Sequence, residues 1–111
     1  MLSPSRLDLA FHALADPTRR RIVERLARSD HPVMELAREF SISQPAVTKH
    51  LDALESAGLI GRRRVGRQRI CYLRPKALES SVEWIARCRR FWDQRFDALD
   101  TLLAETPSAE D

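Results

Sequence analysis

Side chains that could hydrogen-bond to an extended polyanion are concentrated in two stretches of this chain. The first holds Ser43, Gln44, Thr48 and Lys49, with His50 beside them, in the run S-Q-P-A-V-T-K-H-L. The second holds Arg62, Arg63, Arg64, Arg67, Arg69 and Arg74, six arginines in thirteen positions with no acid among them. Gln pairs well with adenine and Lys with guanine in a DNA major groove. A run of arginines without acids suits phosphate contact. The same inventory offers little to catalysis. His12, His31 and His50 are scattered, no Ser-His-Asp or Cys-His pairing is suggested, and three glycines make no phosphate-cradling loop. The enzyme reading is therefore set aside.

The elements that must position these side chains are legible around them. Met34 to Gly58 reads as two short helices joined by a tight corner. The first carries Leu36, Ala37 and Phe40 on one side. Ser41-Ile42-Ser43 is the corner, and Ile42, its one apolar residue, is expected to point inward and fix the interhelical angle. Ser43 is a good N-cap, because its hydroxyl can accept an orphan backbone N–H. Pro45 lies in the first turn, where its missing N–H costs nothing. Val47, Leu51 and Leu54 follow at helical spacing as a buried stripe, with Gln44, Thr48, Lys49 and Asp52 off it. Gly58 stops the helix. This is the grammar of a helix-turn-helix, whose second helix lies in a major groove. Residues 59–64 and 68–74, around the turn Val65-Gly66-Arg67, then read as two strands of a hairpin. A helix-turn-helix followed by a basic hairpin is a winged helix-turn-helix.

The flanks complete the architecture. Arg6 to Ala15 reads as a helix with Leu7, Ala10, Phe11 and Leu14 on one face. Asp16-Pro17 is a helix start, and the helix it opens turns Ile22, Val23 and Leu26 inward. Arg19, Arg20, Arg21, Arg25 and Arg28 surround that stripe, most of them as a solvated face. Ser29 to Pro32 reads as a loop, since Pro32 disfavours helix before it. The last helix is expected from about Lys76 to about Ala104, roughly 43 Å at 1.5 Å per residue. Its apolar set includes Leu78, Val82, Trp84, Ile85, Cys88, Phe91, Trp92, Phe96, Leu99, Leu102 and Leu103. That is more than one small domain needs, and uncovered aromatics of this size mark an interface. Trp84, Ile85, Phe91, Trp92, Phe96 and Leu99, with Phe11 and Leu14 of the first helix, are therefore expected in a dimer contact. The fold class is mainly α with a small β-hairpin, as one domain over 1–105 and a disordered acidic tail at 106–111.

Composition agrees. The chain has 111 residues, 43% hydrophobic and 32% charged, which suits one globular domain. Residues 1–75 hold fourteen Lys and Arg against eight Asp and Glu, a net +6, whereas 76–111 hold five against eight, a net −3. Such asymmetry suggests a polyanion for one half and another task for the other. No apolar run approaches the ~20 residues of a membrane span, and no secretory signal is apparent, so a cytoplasmic location is expected. Cys71 and Cys88 match no metal spacing and are expected as small buried apolar residues, reduced.

With these residues placed, the chain resembles the ArsR/SmtB family of bacterial winged-helix repressors over nearly its whole length. Leu14-Ala15-Asp16-Pro17-Thr18-Arg19-Arg20-Arg21-Ile22 carries the resemblance first. Ser43-Gln44-Pro45-Ala46-Val47-Thr48-Lys49-His50-Leu51 and Leu54-Glu55-Ser56-Ala57-Gly58-Leu59-Ile60 continue it. The resemblance implies a homodimeric transcriptional repressor binding a palindromic operator in double-stranded DNA. Founding members sense metals through cysteine pairs in the first helix of the helix-turn-helix, or through Asp, His and Glu on the last helix. Here Val33-Met34-Glu35-Leu36-Ala37-Arg38 offers no thiolate, and the last helix has no histidine. Asp93, Asp97 and Asp100 alone make a poor transition-metal site. The chain looks like a non-metal branch, with no metal or cofactor expected and the inducer unassigned.

The expected DNA contacts are Ser43, Gln44, Thr48, Lys49 and His50 on the recognition helix, and Arg62, Arg64, Arg67 and Arg69 on the wing. His50 either touches a phosphate or is a half-buried polar residue; the spacing leaves both open. Strand alternation sends Arg62 and Arg64 to one face and Arg63 to the other, so not all can reach DNA at once. Arg67, at the turn, is the favoured contact. A winged helix used as a protein–protein adaptor is the alternative, against which the basic wing argues.

Overall fold

The computed structural model of the chain describes residues 5–105. The acidic tail at 106–111 lies outside them. The chain forms two compact units, Met1–Ser81 and Val82–Asp111.

The first unit is built from helices whose ends the sequence specifies locally. α1 spans Arg6–Leu14. Ser5 caps it: its Oγ accepts from Asp8 N at 3.1 Å, and Asp8 Oδ2 accepts from Ser5 N at 3.2 Å. Two orphan donors are thereby satisfied reciprocally. α2 spans Pro17–Arg28, and Asp16 Oδ1 accepts from Thr18 N at 2.8 Å and Arg19 N at 3.1 Å. α3 spans Val33–Glu39 and α4 spans Gln44–Ser56. Between them Ser41 takes the left-handed region at φ 53, which closes the corner, and Ile42 packs against the core as expected. Ser43 Oγ accepts from Ala46 N at 3.2 Å. Gly58, at φ 77, ends α4 in a Schellman motif: its N donates to Glu55 O at 2.9 Å, and Leu59 N donates to Leu54 O at 3.0 Å. This turn delivers the chain directly into the sheet.

Three strands follow the order β1-β3-β2, all antiparallel, with β1 at His31–Pro32, β2 at Ile60–Val65 and β3 at Gln68–Leu73. The expected loop at Ser29–Pro32 is corrected here: His31 pairs with Cys71 and Pro32 with Ile70, so the hairpin carries a third strand. Pro32 lacks an N–H and is tolerated because β1 is an edge. Val65 pairs with Gln68 across Gly66 and Arg67, with Gly66 at φ 62 as in a type II′ turn. Gly61 pairs with Tyr72, whose ring lies so close that a Cβ there would meet Cζ at 2.4 Å.

The core joins Ala10 and Ala13 of α1, Ile22 and Leu26 of α2, Leu36, then Val47, Leu51 and Leu54 of α4, and Leu59, Ile60 and Cys71. Val47, Leu51, Leu54 and Ile60 are 0% exposed. α4 is thus pinned by one apolar edge, and its opposite side is left to solvent. Leu14, expected at a dimer contact, packs against this core, whereas Phe11 stays on the surface. Phe40 caps the end of α3 and packs on the core under the Arg21 guanidinium, 5.0 Å from the ring centroid.

α5 runs Pro75–Glu105, one residue longer at each end than expected; Ala77 and Leu78 pack on the first core. From Val82 on it makes the second unit. There Ile85, Trp92, Phe96, Leu99 and Leu103 are all at least half exposed. At 3.6 residues per turn these five fall within about 60° of arc. Trp92 stacks on Phe96 (centroids 6.0 Å, 29°) and meets Phe91 edge-on (6.3 Å, 75°). Cys88 is half-buried rather than buried, because its neighbours one turn away on the helix, Trp84, Ile85, Phe91 and Trp92, are themselves exposed; Cys71 is buried as expected.

Candidate nucleic-acid interface

The solvent side of α4 presents Gln44, Lys49 and Asp52 as exposed residues and Thr48 as a half-buried one. They stand there because the opposite edge is committed to Val47, Leu51 and Leu54. Ser43 is exposed, but its oxygen is engaged in capping the helix.

The hairpin brings a second basic surface alongside. A cavity of about 240 Å³ lies between α3, α4 and the hairpin. Gln44 and Thr48 border it from α4, Met34, Glu35 and Arg38 from α3, and Arg67, Gln68 and Arg69 from the hairpin tip. Gln44 and Thr48 also line a shallow outer groove with Pro45, Lys49 and Asp52. The structure therefore joins five of the expected site residues, Gln44, Thr48, Arg62, Arg67 and Arg69, around one concavity. Arg38 and Gln68 belong to it as well. Neither stands out in the sequence, since Arg38 reads as a solvated helix residue and Gln68 as a turn neighbour.

The wing arginines divide sharply. On β2, Ile60, Arg62 and Arg64 share the core-facing side, as alternation requires. Arg62 is drawn back against α4: its side chain is 9% exposed and pairs with Asp52 at 2.7 Å and Glu55 at 3.0 Å. The guanidinium beside Glu55 holds that carboxyl below its usual range, and the two carboxylates raise the Arg62 pKa. Arg63 points the other way, pairs with Asp30 at 2.9 Å and lies 5.2 Å from the Tyr72 ring centroid. Arg64 Nε donates to Gly66 O at 3.4 Å across the turn. Arg67 and Arg69 are exposed. A signal for the Arg62 arrangement was present: two acids three residues apart on α4, immediately upstream of a basic strand.

His50 is half-buried, and its Nδ1 accepts from Arg19 Nε at 3.2 Å. That bond ties α4 to the start of α2. Asp16 lies in the same corner, its carboxyl held below the usual range by the Arg19 backbone N–H first, then by the Thr18 N–H and the charges of His50 and Arg19. The Cys71 thiol is pushed up to about 11 by burial, so it is a poor ligand or nucleophile. Among the described residues no three His, Cys, Asp or Glu side chains are grouped to hold a metal ion. No helix among the described residues is long and apolar enough to cross a membrane.

Comparison with known proteins agrees with this geometry. Residues 16–61, from the Asp16 cap through β2's start, match the family described as bacterial regulatory protein, arsR family. The HTH-type transcriptional regulator Rv2034 of Mycobacterium tuberculosis is 49% identical over 99 residues, covering 86% of this chain and 87% of that protein. The transcriptional repressor SdpR of Bacillus subtilis is 35% identical over 75 residues, covering 68% and 83%. Among solved structures, the ArsR family transcriptional regulator RHA00566 superposes with a TM-score of 0.73 at 36% identity, covering 80% of this chain and 98% of the other.

Proposed function

The chain belongs to the ArsR family of bacterial regulatory proteins, and from that premise we propose that it is a homodimeric transcriptional regulator that represses by occupying a palindromic operator. α4 is the recognition helix, with Gln44, Thr48 and Lys49 toward base edges and nearby phosphates. Arg67 and Arg69 at the hairpin tip, with Arg64 beside them, meet the backbone. The observation that carries this reading is the convergence of Gln44, Thr48, Arg67 and Arg69 on one concavity while the opposite edge of α4 is fully buried. One surface thus offers groups for base edges and groups for phosphates, the two kinds of contact that specific binding needs.

The second unit supports the dimer. The seam of Ile85, Trp92, Phe96, Leu99 and Leu103 is a continuous apolar strip with no cover within its own helix, and a second copy of the same strip is its simplest complement. A two-fold dimer presents two α4 helices, which suits two half-sites one helical turn apart. SdpR, a relative by sequence, is itself a repressor, which supports repression over activation.

A gel-shift titration tests the reading. The wild-type protein should retard DNA from the region upstream of its own gene at concentrations well below those needed for a scrambled duplex of equal length. A reporter driven by that region should be silenced when the protein is present. Equal retardation of both duplexes at every salt concentration would overturn the sequence-specific reading.

A further inference from the structure

The hairpin projects away from the core through exposed residues: every position from Arg63 to Arg69 is exposed. A two-stranded ribbon of this kind is marginal on its own, so something must fix its direction. On the inner side the last fixed point before the tip is Arg62. Its Nε donates to Glu55 Oε2 at 3.3 Å, and one Nη donates to Glu55 Oε1 at 3.0 Å and to Asp52 Oδ1 at 2.7 Å. The fork on Glu55 sets orientation as well as distance, because guanidinium and carboxylate are both planar. Both acceptors belong to α4, three residues apart on one side, beyond the half that carries Gln44, Thr48 and Lys49. Arg62 borders the concavity at its inner end, but its side chain is only 9% exposed, because the guanidinium is turned onto the two carboxylates.

We propose that Arg62 is a positioning residue that touches no DNA: with Asp52 and Glu55 it clamps the wing to the recognition helix. The clamp sets where Arg67 and Arg69 stand relative to Gln44 and Lys49. It divides α4 into a reading half at its N-terminus and an anchoring half at its C-terminus. It also explains why a DNA-binding helix carries two acids, which would otherwise only repel phosphates. This inference rests on the reading that α4 and the wing engage one duplex.

The sign of one substitution separates a clamp from a phosphate contact. Glu55→Gln removes a negative charge from the DNA-facing helix and loosens Arg62. If Arg62 served as a phosphate contact, that change would tighten binding. If Arg62 is the clamp, the same change weakens it. Fluorescence-anisotropy titrations of the full chain on the upstream duplex, repeated at several salt concentrations, read this directly. Glu55→Gln and Arg62→Ala should each raise Kd about tenfold, and the double variant should be little worse than either, as coupled partners require. Arg62→Lys, which keeps the charge but loses the fork, should recover only part of the loss. The salt slope should stay at the wild-type value in all of them, whereas Arg67→Ala should reduce its magnitude by about one for each phosphate it no longer neutralises. Tighter binding by Glu55→Gln, or a slope reduced by Arg62→Ala as by Arg67→Ala, would overturn the proposal. Amide exchange across β2 and β3 gives a readout that needs no DNA. It should accelerate at the tip in Glu55→Gln and Arg62→Ala while α1, α2 and α4 keep wild-type protection. Unchanged exchange at the tip would also overturn the clamp. Accelerated exchange in a protein whose wild type binds neither duplex would leave the clamp standing and refute the DNA-binding reading instead.

Discussion

Replacing Trp92 by Ala should dissociate the dimer without unfolding the chain. Trp92 lies at the middle of the α5 seam and is 54% exposed. A Trp side chain buries up to ~250 Å² when covered, so about 135 Å² per chain is still open to a partner. At ~25 cal/mol per Å², full coverage contributes about 3 kcal/mol per chain and so about 6–7 kcal/mol per two-fold dimer. Half of that coverage, about 3 kcal/mol, already corresponds to more than a hundredfold in Kd. The substitution leaves the helix intact in its own terms, because Ala is the best helix former. The first unit keeps its own core, to which Trp92 does not belong. Sedimentation velocity over a wide concentration range should show a dimer for the wild type and a monomer for Trp92→Ala at the same micromolar loading. Far-UV circular dichroism should retain its helical form. Arg87→Ala serves as the control, since Arg87 is exposed and lies about 150° around the helix from the seam. A wild type that stays monomeric at tens of micromolar would refute the reasoning, as would a Trp92→Ala variant with the wild-type Kd.

Three further outcomes follow from particular contacts. Glu55 is depressed below its ordinary value of 4.5 by its hydrogen bonds from Arg62, so its contribution is complete above that value and is lost as the pH falls through the lower folded-state value; the acid limb of a stability–pH curve should be shallower for Glu55→Gln than for the wild type, and identical limbs would contradict the pairing. Gly61→Ala should destabilise the sheet by about 1–3 kcal/mol, because the added methyl meets the Tyr72 ring at 2.4 Å; denaturant melts should show that Tyr72→Ala in the same chain relieves most of this cost, and purely additive losses would be the contrary result. Cys71 is buried with its thiol raised to about 11, so a thiol reagent at pH 8 should label it only after denaturation, as read by peptide mass spectrometry; rapid labelling in the native chain would mean the strand opens.

What was legible in the sequence is what short-range chemistry decides. Asp16-Pro17 and Ser43 with Pro45 announce helix starts because capping acts over two or three residues, and both caps are made as read. Gly58 announces an ending because φ 77 is open to glycine at little cost. The stripe of Val47, Leu51 and Leu54 was legible from its period. What was missed depends on partners distant in the chain. β1 is two residues long and exists only because Cys71 and Ile70 lie opposite it. His50 meets Arg19, thirty-one residues earlier. Alternation put Arg62 and Arg64 on one face and Arg63 on the other, but could not say that carboxylates of α4 would hold Arg62 and leave Arg64 near the tip.

The central claim is that α4 reads bases while the hairpin tip holds the backbone, and equilibrium binding of three proteins to two duplexes tests it most directly. Wild type, Gln44→Ala and Arg67→Ala should be titrated on the upstream operator and on a scrambled duplex at several salt concentrations. Gln44→Ala should cost ~1–3 kcal/mol on the operator and much less on the scrambled duplex, with an unchanged salt slope. Arg67→Ala should weaken both duplexes nearly equally and reduce the magnitude of the slope by about one per subunit. If Gln44→Ala weakens both duplexes equally while Arg67→Ala abolishes discrimination between them, the assignment of roles is contradicted.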